Sequence, residues 1–141
     1  MEAANQDVPQ AQHRIAKHLL ASQNDKDQAD GFVFLQKASD NKHLESMYEL
    51  AMLFLRGNNT IEPNDKMAFY WMKQVAERNL ASAINMLGVF YYSGIGTEKN
   101  NELAAFYYEK AAEFNIPDAQ YNLAKLLYNN NDPYCFIDAY K

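Results

Sequence analysis

Cysteine is nearly absent from this chain of 141 residues, since Cys135 is the only one. A single thiol forms neither an intramolecular disulfide nor a cysteine metal site, which excludes disulfide-stapled folds and zinc fingers. Residues 1–10 lack the apolar core of a secretory signal. We therefore predict a cytoplasmic location; a signal lost upstream of residue 1 would instead allow a periplasmic or secreted one.

Positive charge and long apolar runs are also scarce. Lys and Arg number 13 against 18 Asp and Glu, which gives a formal net charge of −5. This balance argues against a nucleic-acid partner, whose phosphates require basic residues, and it favours a basic partner if the partner is charged. No stretch approaches the roughly 18 consecutive apolar residues of a membrane helix, so we predict no membrane insertion.

Catalytic and metal-binding signatures are missing from the sequence. It contains no Gly-x-Ser-x-Gly elbow, phosphate loop or dinucleotide fingerprint. His13 and His18 are five residues apart, so they do not share a helix face as a metal pair requires. We predict that these two residues and His43 are solvated or packing residues, that the chain binds no metal or cofactor, and that it is not an enzyme.

The sequence does contain an internal repeat. Four similar segments begin at residues 11, 46, 83 and 119, and the starts are 35, 37 and 36 residues apart. A second segment follows each of the first three, with an aromatic residue three positions after a small one (Phe34, Trp71 or Tyr107). A short side chain comes four positions later, and spacings of three and four place all of these on one helical face. Each unit is therefore predicted to be a pair of helices of about three turns.

Helix boundaries can be predicted from turn-forming residues. Pro9, Pro117 and Pro133 stand where a helix would begin, and Asp65 is placed to cap the segment that follows it. Gly57 and Gly94 follow first helices, where a left-handed residue ends a helix. We predict an all-α fold, a right-handed α-α solenoid of tandem antiparallel helix pairs. It forms a single repeat domain over residues 1–141, and the last unit is cut short at Lys141.

In two of the repeat units the second helix carries three consecutive aromatic residues, at 69–71 and 106–108. Three consecutive residues spread over about 200° of a helix, which is wider than the roughly 100° stripe of a surface helix. These helices are thus predicted to be covered on more than one side. Cover by the next repeat is the favoured interpretation, and an aromatic facing a partner is the alternative.

The repeat resembles a known family. Residues 83–113 show Ala-x-x-x-Leu-Gly-x-x-Tyr-Tyr-x-Gly-x-Gly followed by Ala-x-x-Tyr-Tyr-x-Lys-Ala-Ala, and the preceding unit matches with Gly57 but without the second glycine. This pattern is similar to the SEL-one-like repeat, a relative of the tetratricopeptide repeat. The resemblance implies a tetratricopeptide-like superhelix that acts as a scaffold or adaptor for protein complexes, often in bacteria.

The resemblance also implies which residues bind a partner. In tetratricopeptide-type folds the first helix of each unit lines a concave groove. The corresponding positions here are His13, Lys17, Leu20, Tyr48, Met52, Leu55, Arg56, Asn85, Val89, Tyr92, Asn122, Lys125 and Tyr128. Asn85 and Asn122 occupy the third and fourth positions of their repeat segments, and their amides are candidates to bond the backbone of a bound peptide. Solvation, or a bond to a neighbouring turn, is the alternative for both.

Binding of a protein or peptide partner is thus the leading functional hypothesis. A narrower version is an immunity or antitoxin-like protein that neutralises a cognate effector. A hydrolase like some cysteine-rich relatives is a further alternative, although their paired cysteines are absent here, and a structural segment of a longer chain is another. The sequence does not decide the oligomeric state.

Overall fold

Seven α-helices and no strands make up the part of the chain that the structure describes. This computed structural model describes the backbone of residues 2–129 and the side chains from residue 8 onward. The helices are α1 (Glu2–Leu20), α2 (Asp25–Asp40), α3 (Leu44–Arg56), α4 (Asp65–Ala76), α5 (Ala81–Ser93), α6 (Asn101–Ala112) and α7 (Pro117–Asn129). The prediction of an all-α fold of repeated helix pairs is confirmed.

The chain divides into two compact units, Met1–Val75 and Ala76–Lys141. In the first unit α1 packs against α2, and α2 packs against α3. In the second unit α5 packs against α6, and α6 packs against α7. The extent of the repeat domain, 1–141, stays a prediction, and Pro133, Cys135 and Lys141 lie outside the described residues.

Asparagines begin three of the helices. Asn24, Asn64 and Asn100 each accept a first-turn backbone N–H on the side-chain oxygen, which satisfies a donor that the helix itself leaves unpaired. The donors are Lys26 N at 2.8 Å, Met67 N at 3.1 Å and Leu103 N at 3.0 Å. The prediction that Asp65 caps α4 was wrong, because Asp65 is already inside the helix. Its carboxylate lies in the first turn, where it interacts favourably with the positive end of the helix dipole.

Glycine ends the first helix of the second and third repeats, as predicted. Gly57 and Gly94 adopt φ angles of 71° and 73°, where residues with a Cβ are strained. Their N–H groups donate to Leu53 O and Phe90 O, so each turn satisfies a terminal carbonyl of its helix.

Proline has two different roles. Pro117 begins α7 as predicted, where its missing N–H costs nothing. The prediction that a helix begins at Pro9 was wrong, since α1 begins at Glu2 and contains Pro9 in its interior. Because proline has no N–H to donate to the preceding turn, α1 lacks one backbone hydrogen bond there.

The small residues of the repeat pattern bring helices close together. Ala68 and Ala104 are fully buried, and the aromatic residues that follow them on the same helices, Trp71 and Tyr108, are also buried. A Cβ added to Gly88 of α5 would lie 2.6 Å from ring atoms of Tyr108 on α6. Glycine is therefore required at position 88 for the α5–α6 contact.

Candidate functional site

In the first unit a cleft of about 450 Å³ lies between the C-terminal ends of α1 and α3. Its lining includes Lys17, Leu20 and Arg56, three residues predicted to face a partner. The remaining lining residues are Ala21, Glu49, Leu53, Gly57 and Asn58. The first-helix positions of two consecutive repeats thus meet around one concave surface.

The cleft has an apolar floor and a charged rim. Leu20 and Leu53 supply the apolar area, while Lys17 Nζ lies 3.7 Å from Glu49 Oε1 across the rim. Within residues 8–129 no carboxylate pairs with Arg56, whose side chain is exposed. The rim therefore carries a net positive charge, which suits a carboxylate of a ligand.

The other predicted residues of α3 are less accessible. Tyr48, Met52 and Leu55 are partly buried. Burial raises the pKa of Tyr48, and the positive charge of Arg56 lowers it in part. The Tyr48 phenol thus stays neutral near pH 7 and keeps its O–H as a hydrogen-bond donor.

His13, also predicted to face a partner, is only 5% exposed. Its Nε2 lies 3.0 Å from Glu49 Oε2 and its Nδ1 lies 3.8 Å from Glu45 Oε2. The His43 ring is also close, with its centroid 5.0 Å from that of His13. The ring of His13 is thus surrounded by residues of the chain and offers little surface to a partner.

In the second unit the two predicted asparagines contact each other. Asn122 Nδ2 donates to Asn85 Oδ1 over 3.2 Å, and Asn85 is 8% exposed. This bond joins α7 to α5 between residues 37 apart, one more than the 36-residue spacing of the third and fourth repeats. It uses one of the two N–H donors of Asn122, which is partly exposed.

A second polar contact joins the same two helices. Asn129 Nδ2 donates to the Tyr92 hydroxyl over 3.1 Å, and Lys99 Nζ lies 5.5 Å from the centre of the Tyr92 ring. Val89 packs beside the buried Tyr108, and burial raises the pKa of Tyr108 to about 12. Lys125 and Tyr128 are exposed on α7.

The second helices expose an apolar residue at one repeat position that the site prediction omitted. Val33 is 48% exposed, Tyr70 52% and Phe106 54%, and these positions are 37 and 36 residues apart. We favoured the interpretation that the next repeat covers the aromatic triplets. The exposure of Tyr70 and Phe106 shows that these two side chains are only partly covered. The spread of each aromatic triplet over about 200° of the helix could have indicated this exposure, because it is wider than the stripe that faces the core.

Sequence reasoning also missed the neighbours of His13. Glu45 and Glu49 are four residues apart on α3, so they share one helix face, and His43 lies just before that helix. Only the packing of α1 against this end of α3 brings them to His13. A search for pairs close in sequence could not find this group.

The comparison with protein families identifies the repeat. The family model described as "Sel1 repeat" matches residues 9–43, 44–80, 81–113 and 117–131. The chain belongs to the Sel1 repeat family. Each matched segment starts two residues before the corresponding predicted start.

Solved Sel1 repeat structures share this fold. A Sel1 repeat protein from Oxalobacter formigenes superposes with a TM-score of 0.77 at 22% identity, over 91% of this chain and 37% of that one. The protective antigen c5321 of uropathogenic Escherichia coli gives 0.79 at 20% identity, over 96% and 29%. Cysteine-rich protein B of Helicobacter pylori gives 0.64 at 23% identity, over 84% and 90%. At these identities the likeness concerns the fold alone.

A curated relative is much longer than this chain. The chitin synthase regulator SKT5 of Malassezia restricta is 35% identical over 77 residues, which are 54% of this chain and 5% of the relative. Sel1 repeats in general mediate protein–protein interactions, and the family is typically a non-catalytic scaffold. Among residues 2–129 of this Sel1 repeat chain, no helix has the length and apolar character to cross a membrane.

Proposed function

We propose that this Sel1 repeat chain is a non-catalytic scaffold that binds a partner protein or peptide on the first helices of its repeats. The cleft between α1 and α3 carries the proposal. It joins Lys17, Leu20 and Arg56 from two repeats around one concave surface. Membership in the Sel1 repeat family supports binding of a protein partner in general. The α1–α3 cleft supports the proposed location of that partner.

The chemistry of the cleft favours a particular kind of ligand segment. The floor of Leu20 and Leu53 removes a partner's apolar side chain from water, which contributes about 25 cal/mol per Å² buried. Arg56 is placed to form a two-pronged bond with a carboxylate beside that side chain. We therefore propose a loop or extended segment with an apolar residue next to Asp or Glu. The overall charge of −5 is compatible with a partner that is basic elsewhere on its surface.

In the second compact unit, the first helices of the third and fourth repeats, α5 and α7, offer a separate surface for binding a partner. The buried Asn85 holds the partly exposed Asn122 in place, and Asn129 holds Tyr92, before a partner arrives. Side chains that are already ordered lose less conformational entropy on binding. Lys125 and Tyr128 flank them and supply the charge and the amphipathic ring typical of interfaces.

The cleft is tested by affinity capture from lysate of the native cells, with partners identified by mass spectrometry. The test variant is Lys17→Ala with Arg56→Ala. The control is Lys66→Ala with Arg78→Ala, which removes two charges of the same kind from exposed positions that do not line the cleft. The identified partner is then titrated against each protein.

We expect the test variant to weaken partner binding at least tenfold, about 1.4 kcal/mol, because desolvated Arg contacts commonly dominate interfaces. The control should bind like the natural chain. Equal binding by all three proteins would remove the cleft from the interface. Equal weakening by both variants would mean that overall charge, rather than the cleft, determines binding.

A further inference from the structure

Two imidazoles and a carboxylate converge where the middle of α1 meets the start of α3. His13, His43 and Glu45 each place one potential ligand atom within 4.8 Å of the other two. The rings of His13 and His43 are 5.0 Å apart between centroids. All three residues belong to the first unit, and none of them lines the cleft.

His13 has an unused polar atom in this group. The residue is 95% buried, since its exposed fraction is 5%. Its Nε2 lies 3.0 Å from Glu49 Oε2, yet the geometry is not that of a hydrogen bond and Nε2 has no partner. A buried polar atom without a partner destabilises the folded chain, so an arrangement that aligns Nε2–H with Glu49 would be favoured.

We infer that His13, His43 and Glu45 form a binding site for Zn²⁺, with water as the fourth ligand. Two imidazoles and one carboxylate are a ligand set that zinc takes in proteins. A tetrahedral ion with bonds of about 2.0–2.2 Å sets its ligand atoms roughly 3.4 Å apart. The three ligand atoms therefore need to approach by no more than about 1.4 Å. The Glu45 side chain is 75% exposed and can rotate to do so.

The surrounding side chains suit this ion. Glu49 is placed to accept from His13 Nε2–H, which leaves Nδ1 as the nitrogen for the metal. The metal-binding tautomer of His43 donates Nδ1–H to Ser46 Oγ, 2.7 Å away, and keeps its lone pair on Nε2. The 3.4 Å bond that Nδ1 accepts from Ser46 N is then lost.

Such an ion would join α1 to the start of α3. These elements come from successive repeats, and no disulfide joins them, since the chain has a single cysteine. A ligand that binds only the folded form stabilises it by an amount that grows with the logarithm of one plus the ratio of ligand concentration to Kd. Zinc would thus stabilise the first unit, which also contains the proposed partner cleft.

The site is tested with tag-free protein titrated with ZnCl₂ by calorimetry at pH 7.5, together with thermal unfolding with and without zinc. Glu45→Gln removes the exposed ligand without disturbing packing. His43→Asn removes an imidazole but keeps a good residue at the start of α3, where His43 now accepts from Ser46 N. His18→Ala is the control, since His18 is an exposed histidine on the same helix as His13. A titration with MgCl₂ is the control for the metal, because Mg²⁺ prefers oxygen ligands.

We expect the natural chain and His18→Ala to bind one Zn²⁺ and to unfold at a higher temperature with zinc than without it. Neither protein should bind Mg²⁺. Affinity should fall at least tenfold in Glu45→Gln and in His43→Asn. It should fall about 10–100-fold in Glu49→Gln, which removes only the carboxylate beside His13. Failure of the natural chain to bind zinc would overturn the inference. So would unchanged affinity in both ligand variants.

Discussion

Replacing Phe90 with alanine is expected to lower the free energy of unfolding by about 3–5 kcal/mol. Phe90 on α5 is fully buried and is the largest such side chain in the described chain. Its loss removes the transfer free energy of the ring and leaves a cavity that the surrounding side chains fill only in part. Since domains are typically stable by about 5–15 kcal/mol, this one change removes a large share of the total.

The measurement is urea denaturation followed by helical circular dichroism. Phe106→Ala is the matched control, because Phe106 is 54% exposed on α6 and the chemical change is identical. We expect the control to cost less than about 1 kcal/mol, mainly through its lost edge contact with Tyr107. A similar cost for the two variants would contradict the assignment of buried and exposed faces in the second unit.

Gly88→Ala is expected to destabilise the chain by about 1–3 kcal/mol. Helix propensity alone predicts the opposite sign, because alanine is favoured over glycine by about 1 kcal/mol in a helix interior. The new Cβ, however, would lie 2.6 Å from two ring carbons of Tyr108 and 3.3 Å from Ala104 O. Tyr108 is buried, so its ring has no space into which to retreat.

A double-mutant cycle separates the two effects. In a Tyr108→Ala background the clash is absent, so Gly88→Ala should be neutral or stabilising by up to about 1 kcal/mol. Denaturation midpoints of the four proteins give the coupling between the two positions. Stabilisation by Gly88→Ala in the natural background would show that α5 and α6 do not approach as closely as described here.

The fold could be predicted from the sequence because its determinants are local and recur. Gly57 and Gly94 end helices at the predicted places, since only a positive φ allows that turn. The errors concern helix starts, where several residues compete. Asn64 rather than Asp65 caps α4, and α1 continues on the N-terminal side of Pro9. A polar residue near a helix start does not identify the cap by itself, because its neighbour can supply the same bond.

The candidate site could be predicted only in part, for a physical reason. Lys17, Leu20 and Arg56 lie around the α1–α3 cleft because they occupy first-helix positions of successive repeats. The sequence does not reveal how tightly those helices pack. His13 has the same repeat position as Tyr48, yet it is buried beside His43, a residue 30 positions away. Such a pair depends on tertiary packing, which a search along the helix cannot detect.

The central claim, that a partner occupies the first-helix cleft, is tested most directly by photo-crosslinking in the native cell. A benzophenone amino acid is placed at Ala21, an exposed residue in the cleft lining, and separately at Tyr70, an exposed aromatic on the second helix α4. The structure predicts that the protein captured by affinity purification crosslinks to position 21 and not to position 70. Crosslinking at position 70 without crosslinking at position 21 would contradict the claim and place the partner on the second helices instead.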